Sequence, residues 1–144
     1  MNPNKREAAS YYPDNLLPIR NSGKLTLVTH EVELFNNIHL RIFNGHTTGQ
    51  LIPLINYNGH MLVFGGDFIP TVYNIPLPFV PDVDIQPLVT MDEKSAFLEE
   101  AVSKGYTFFF EHDYFNECCN VKMTEKGVAV DQCFPFNNFQ NHIA

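Results

Sequence analysis

Three side chains suited to metal ligation each follow an apolar run: His46 after "LRIF", Asp67 after "MLVFGG" and His112 after "YTFFFE". Imidazole nitrogen and carboxylate oxygen are donors that zinc accepts, as do iron or manganese at similar sites. The first of them is out of place as a turn residue. "NGHTTGQ" separates two apolar runs, and Gly, Asn, Asp, Ser and Pro each suit turns better than histidine does. Gly45, Gly65 and Gly66 leave the backbone free to take a tight path beside these donors. Taken singly, each donor reads better as an ordinary turn or solvent-exposed residue than as a ligand. Their shared position argues for a site. If the three runs are strands that lie side by side and run the same way, all three donors converge on the carboxyl edge of one sheet, where open sheets place ligands.

Other polar residues divide less clearly. Glu111 and Asp113 flank His112, and either reads as a hydrogen-bond partner that orients its ring or as an ordinary loop carboxylate. Asp82 and Asp84 read as a solvated edge. His30 and His39 read as surface residues, His60 as part of a hairpin and His142 as part of the tail. The chain has no glycine-rich phosphate loop, Cys-x-x-Cys pair or nucleophile elbow.

The elements that must position the donors are mostly strands. "NPNKREAAS" reads as a short helix with Asn2 as cap and Pro3 at its first position, and "YYPDNLLPI" as a connector. "GKLTLVTHEVELFNNIHLRIF" reads as two or three short strands, broken at Thr29–Glu31 and at the Asn36–Asn37 turn. "LIPLINY" and "MLVF", joined at Asn58–Gly59, are apolar on both faces and should be central strands. Residues 70–87 form a proline-rich loop without periodicity, expected as a pocket wall. Thr90 and Glu93 then suggest a capping box opening a helix with Phe97, Leu98, Ala101 and Val102 on one stripe, stopped by Gly105. "YTFFF" is another buried strand, "CNVKMTEKGVAVDQCF" a terminal hairpin, and residues 135–144 a loosely held tail. The class is α/β or α+β: one domain over residues 1–144, with a mixed sheet and one long covering helix.

Composition narrows the function. The chain has 44% hydrophobic and 17% charged residues, which excludes a disordered polymer. Its net charge of −7 includes no basic stripe, so nucleic acid is not an expected partner. No stretch reaches the ~18 apolar residues of a membrane span. The N-terminus has no apolar signal core, so no membrane association and a cytoplasmic location are expected. Three cysteines do not make a disulfide framework, and reduced thiols are expected; Cys133 falls opposite Cys119 if the hairpin turns at Gly127.

"FNGHTTGQLIPLI", "MLVFGGDFIPT" and "FFFEHDYF", in that order, resemble the second half of the metallo-β-lactamase-fold hydrolases. The resemblance runs from about Lys24 to the final hairpin. It implies half of an αββα sandwich with a metal centre, usually binuclear and commonly zinc, at one edge. In that family a Gly-His-Thr-x-Gly turn gives a histidine to the first metal, matched by Gly45, His46, Thr47 and Gly49. A Gly-Asp pair gives the bridging aspartate, matched by Gly66 and Asp67, and a later histidine serves the second metal, matched by His112. Thr47, Asp113 and, in the proline-rich loop, Tyr73 would stand around the site or its pocket.

The family's His-x-His-x-Asp-His signature is absent from this chain. The resemblance therefore implies a small-molecule hydrolase site supplied only in part, inactive by itself. The missing half implies a homodimer rebuilding the sandwich about a twofold axis, a partner chain carrying the N-terminal half, or a truncated domain. A non-catalytic homodimeric domain that keeps relic metal motifs is the alternative from another class.

Overall fold

A computed structural model describes residues 3–142. Asn2, the expected cap, and the last two residues of the tail lie outside the described residues. Seven strands form one sheet in sequence order: β1 (Val32–Phe35), β2 (Ile38–Phe43), β3 (Gln50–Tyr57), β4 (His60–Phe64), β5 (Thr107–Phe109), β6 (Cys118–Thr124) and β7 (Gly127–Phe134). Neighbours are antiparallel except β4 and β5, which run parallel. A helix over Pro87–Lys104 makes that crossover, as a parallel connection requires. It is α2; an earlier helix, α1, spans Pro13–Asn21.

This topology decides where strand ends fall. β2 and β4 are both antiparallel to β3, so they share a direction, and β5 is parallel to β4. All three therefore end at the same edge, although β3 separates β2 from β4. The β3–β4 hairpin closes on Asn58 (φ 52°) and Gly59 (φ 87°), the left-handed pair that a two-residue turn of matching twist needs.

Strand alternation divides the side chains between two faces. Phe43, Ile52, Leu54, Val63 and Phe108 form the main core with Phe97, Leu98 and Ala101 of α2. The alternate residues, Ile42, Leu51, Pro53, Ile55, Leu62, Phe64 and Phe109, face away from that helix. There Leu62, Cys118, Phe134 and Phe139 make a second, smaller core. Leu51 and Tyr57 remain exposed on this face.

Several expectations need correction. "YYPDNLLPI" is helical from Pro13 on rather than a connector, because Pro13 begins α1 and Asp14 sits in its first turn. "PNKREAAS" makes only a single 3-10 turn at Glu7–Ala9, where Asn4 Oδ1 accepts the amides of Arg6 and Glu7. "KLTLV" forms no strand; without a sheet neighbour it leaves Leu25 and Leu27 exposed. The described part of the tail packs against the sheet. It turns at Phe136–Asn138 into α3 (Phe139–His142), buries Phe139 and bonds Gln140 Nε2 to the Tyr57 hydroxyl at 2.7 Å. Among the described residues, no helix is long and apolar enough to cross a membrane.

Candidate metal centre

His46 stands on a turn that α2 holds from beneath. The Glu93 carboxylate accepts the backbone N–H groups of Asn44 (2.9 Å) and Gly45 (3.1 Å). Gly45 passes so near the helix that a Cβ there would lie 2.1 Å from Thr90 Oγ1. Thr90 and Glu93 are thus not a capping box. The helix begins earlier, at Pro87, and both side chains are spent on the loops above it.

The end of the proline-rich loop runs against the same turn. The Ile85 amide donates to the His46 carbonyl (3.1 Å) and the Gln86 amide to that of Gly45 (2.8 Å). These bonds bring Asp84 to the histidine, with Oδ1 2.9 Å from His46 Nδ1, while Oδ2 accepts the Thr90 hydroxyl at 2.6 Å. Asp84 is buried, not a solvated edge. Sequence reading missed it because nothing local marks Asp84 apart from Asp82; its partners lie 38 residues back and six ahead.

Asp67 sits within a tight turn in which the Ile69 amide donates to the Gly65 carbonyl (3.1 Å) and Gly66 is left-handed (φ 49°). Phe68 and Ile69 are fully buried, which anchors the turn and leaves Asp67 half exposed. The Gly65 amide also donates to the Phe109 carbonyl (2.9 Å), so the turns after β4 and β5 start side by side.

His112 sits on a loop organised by Asp113. That carboxylate accepts the amides of Val72 (3.1 Å), Phe115 (3.0 Å) and Asn116 (3.0 Å). Partial burial opposes its ionisation, but these donors outweigh it and hold its pKa below the usual carboxylate value. Asp113 fixes the loop; no hydrogen bond joins it to the His112 ring.

The three candidate donors meet. Asp67 Oδ1 lies 2.9 Å from His112 Nε2, and Oδ2 lies 3.6 Å from His46 Nε2. Beside them a groove of about 680 Å³ is lined by His46, Thr47, Gln50, Asp67, Val83 and Ile85, and by the N-terminal turn around Arg6–Tyr11. Thr47 accepts the Gln50 amide through its carbonyl (3.3 Å). Tyr73 does not line this groove. It is largely exposed in the turn Val72–Asn74, the segment that Asp113 ties to the His112 loop.

This arrangement can be compared with known proteins. No protein-family model matches the chain, and no curated protein matches it. Solved structures do. A probable metal-dependent hydrolase from Staphylococcus aureus is similar over 78% of this chain at 27% identity, with a TM-score of 0.68. The dizinc quorum-quenching lactonase AidC is similar over 92% at 18% identity and a TM-score of 0.66. The hydrolase AbOPH of the beta-lactamase superfamily is similar over 82% at 16% identity and a TM-score of 0.64. The chain has half of a metallo-β-lactamase fold. It spans 40%, 48% and 41% of the lengths of those three structures.

The donor chemistry fits a metal, with a restriction. His46 Nδ1 is engaged by Asp84, leaving Nε2 on the Asp67 side, and Gln50 Oε1 in the groove is buried without a partner. Among the described residues, however, no three His, Cys, Asp or Glu side chains group so as to hold one ion. What the geometry shows is one imidazole on each side of the Asp67 carboxylate, each facing one oxygen.

Proposed function

We propose that this chain supplies half of the metal centre of a metal-dependent hydrolase, with His46 for one ion, His112 for the other and Asp67 shared between them. The observation that carries this is Asp67 held between two imidazole Nε2 atoms, one facing each carboxylate oxygen. Zinc is the first choice of ion, and iron or manganese suit the same donors. When bound, such ions polarise a scissile carbonyl or phosphoryl oxygen and lower the pKa of water. The chain's own residues orient donors and wall the groove. Asp113 holds the His112 loop, and Thr47, Val83 and Ile85 shape one side of the space beside the donors.

The substrate is a small molecule with a hydrolysable ester, lactone, thioester or phosphodiester bond. A charge of −7 makes the phosphodiester the least favourable. The remaining metal donors come from a second half-fold lying on the sheet face that turns away from α2. Alone the chain is inactive and binds metal weakly. Three thiols, all free, suit a reducing compartment such as the cytoplasm.

Zinc titration in competition with a chromophoric chelator tests this, on the native chain and on the triple variant His46→Ala, Asp67→Ala, His112→Ala. Weak binding that the triple variant loses is expected. Equal binding by both, or none by either, would reject the assignment.

A further inference from the structure

One buried polar chain runs from α2 to His46 and, among the described residues, has no counterpart at His112. Asp84 places one oxygen on His46 Nδ1 and the other on the Thr90 hydroxyl, both at hydrogen-bond distance. Asp84 and Thr90 are buried, and the His46 side chain is only 15% exposed, so water does not compete freely for these contacts. Lys94, one helical turn beyond Thr90, is buried as well and feels the charge of Asp84.

A carboxylate is acceptor-only, so an imidazole nitrogen at hydrogen-bond distance from it must carry the proton; His46 Nδ1 is at that distance from Asp84, whereas Nε2, 3.6 Å from Asp67 Oδ2, lies beyond it. We propose that Asp84, braced by Thr90, is the positioning residue that fixes His46 as the Nδ1–H tautomer and presents Nε2 as the free lone pair beside Asp67. The role given to that lone pair rests on the metal-centre reading above. The tautomer does not, because it is set in the metal-free chain. Among the described residues, His112 shows no carboxylate beyond Asp67 in contact with its ring, so the two imidazoles are prepared differently.

Long-range proton–nitrogen NMR of the metal-free, 15N-labelled chain reads the tautomer directly, with the His46 signals assigned by their loss in His46→Gln. The native chain should show Nδ1–H. Asp84→Ala should move His46 to Nε2–H and weaken zinc binding ten- to a hundredfold, the usual loss when such a partner is removed. Asp84→Asn is the conservative rescue. A hydroxyl both donates and accepts, so the Asn amino group can turn to Thr90 while its oxygen stays on His46, preserving the tautomer and most of the affinity. Finding Nε2–H in the native chain, or Nδ1–H in folded Asp84→Ala, would overturn the proposal. If Asp84→Ala does not fold, the native spectrum and Asp84→Asn decide. Nδ1–H in the native chain, with zinc bound equally by the native chain and the triple variant, would reject the metal reading and leave the positioning role standing.

Discussion

Gly45 is the residue at which one added carbon decides whether the His46 turn can form. A Cβ there would meet Thr90 Oγ1, N and Cα at 2.1, 2.4 and 2.5 Å, and two of those atoms are backbone that cannot swing aside. Gly45→Ala should therefore push the turn off α2, with the loss of roughly 1–3 kcal/mol typical of overpacking, read from urea unfolding. Asp113 acts by charge instead. Its pKa is depressed on folding, so its contribution is complete above the unfolded value near 4 and disappears as pH falls through the folded value. Asp113→Asn should imitate the acid state at neutral pH, with faster hydrogen exchange at the Phe115 and Asn116 amides; unchanged exchange would show that the loop does not depend on the carboxylate. At this scale the sequence was legible wherever a residue type was unusual for its place. A histidine in a turn and an aspartate after paired glycines drew attention to His46 and Asp67. Asp84 did not, because its role comes from partners that only the folded loop brings near.

The long helix and the proline-rich loop work as one element. Lys94 is fully buried on α2, and its Nζ donates to the carbonyls of Pro76 and Phe79, both at 2.9 Å. Burial lowers its pKa to about 8, partly offset by the charge of Asp84. A neutral amine still carries two N–H donors, enough for both carbonyls. Between about 8 and the unfolded value near 10.5 the unfolded chain binds the extra proton, so stability should rise with pH across that window. The buried thiols act in the opposite sense, since burial raises the pKa of Cys118 to about 12, which is why the comparison must be with a variant. Lys94→Met should lose about 1–3 kcal/mol at neutral pH, the cost of leaving buried acceptors unpaired, and its stability relative to the native chain should fall further between pH 8 and 10.5. A constant difference across that range would show that Lys94 keeps its proton. The strands, hairpins and helix end were readable because β3, β4, β5 and α2 have strong local patterns and Gly105 is a left-handed stop. The helix start was misplaced because Thr90 and Glu93 have capping chemistry but are used by the loops above, a tertiary demand invisible in local sequence.

At the scale of the whole molecule the two faces of the sheet are unequal. α2 covers one; on the other, the described part of the tail covers the region around Leu62 and Cys118. Ile42 and Leu51 are cross-strand partners on that second face, and Leu51 is 39% exposed. Exposed apolar surface of this kind suits an interaction site, and among the described residues no three donors group so as to hold a single ion. On the proposed reading both deficits have one remedy: a second half-fold that covers the face and completes the centre. The double variant Ile42→Lys, Leu51→Lys separates association from ligation. In a fusion of this chain with the unmatched remainder of the Staphylococcus aureus hydrolase, the native sequence should retain zinc through gel filtration, and the lysine pair should abolish that retention. His46→Ala with His112→Ala should also lose the zinc, but leave the fusion as compact in sedimentation as the native one. If the chain alone instead sediments as a dimer at low micromolar concentration, and the lysine pair makes it monomeric, a second copy occupies the face. A native fusion that never retains zinc, beside a monomeric chain indifferent to the lysine pair, would remove the interface from the proposal and leave the donors around Asp67 without a means of completion.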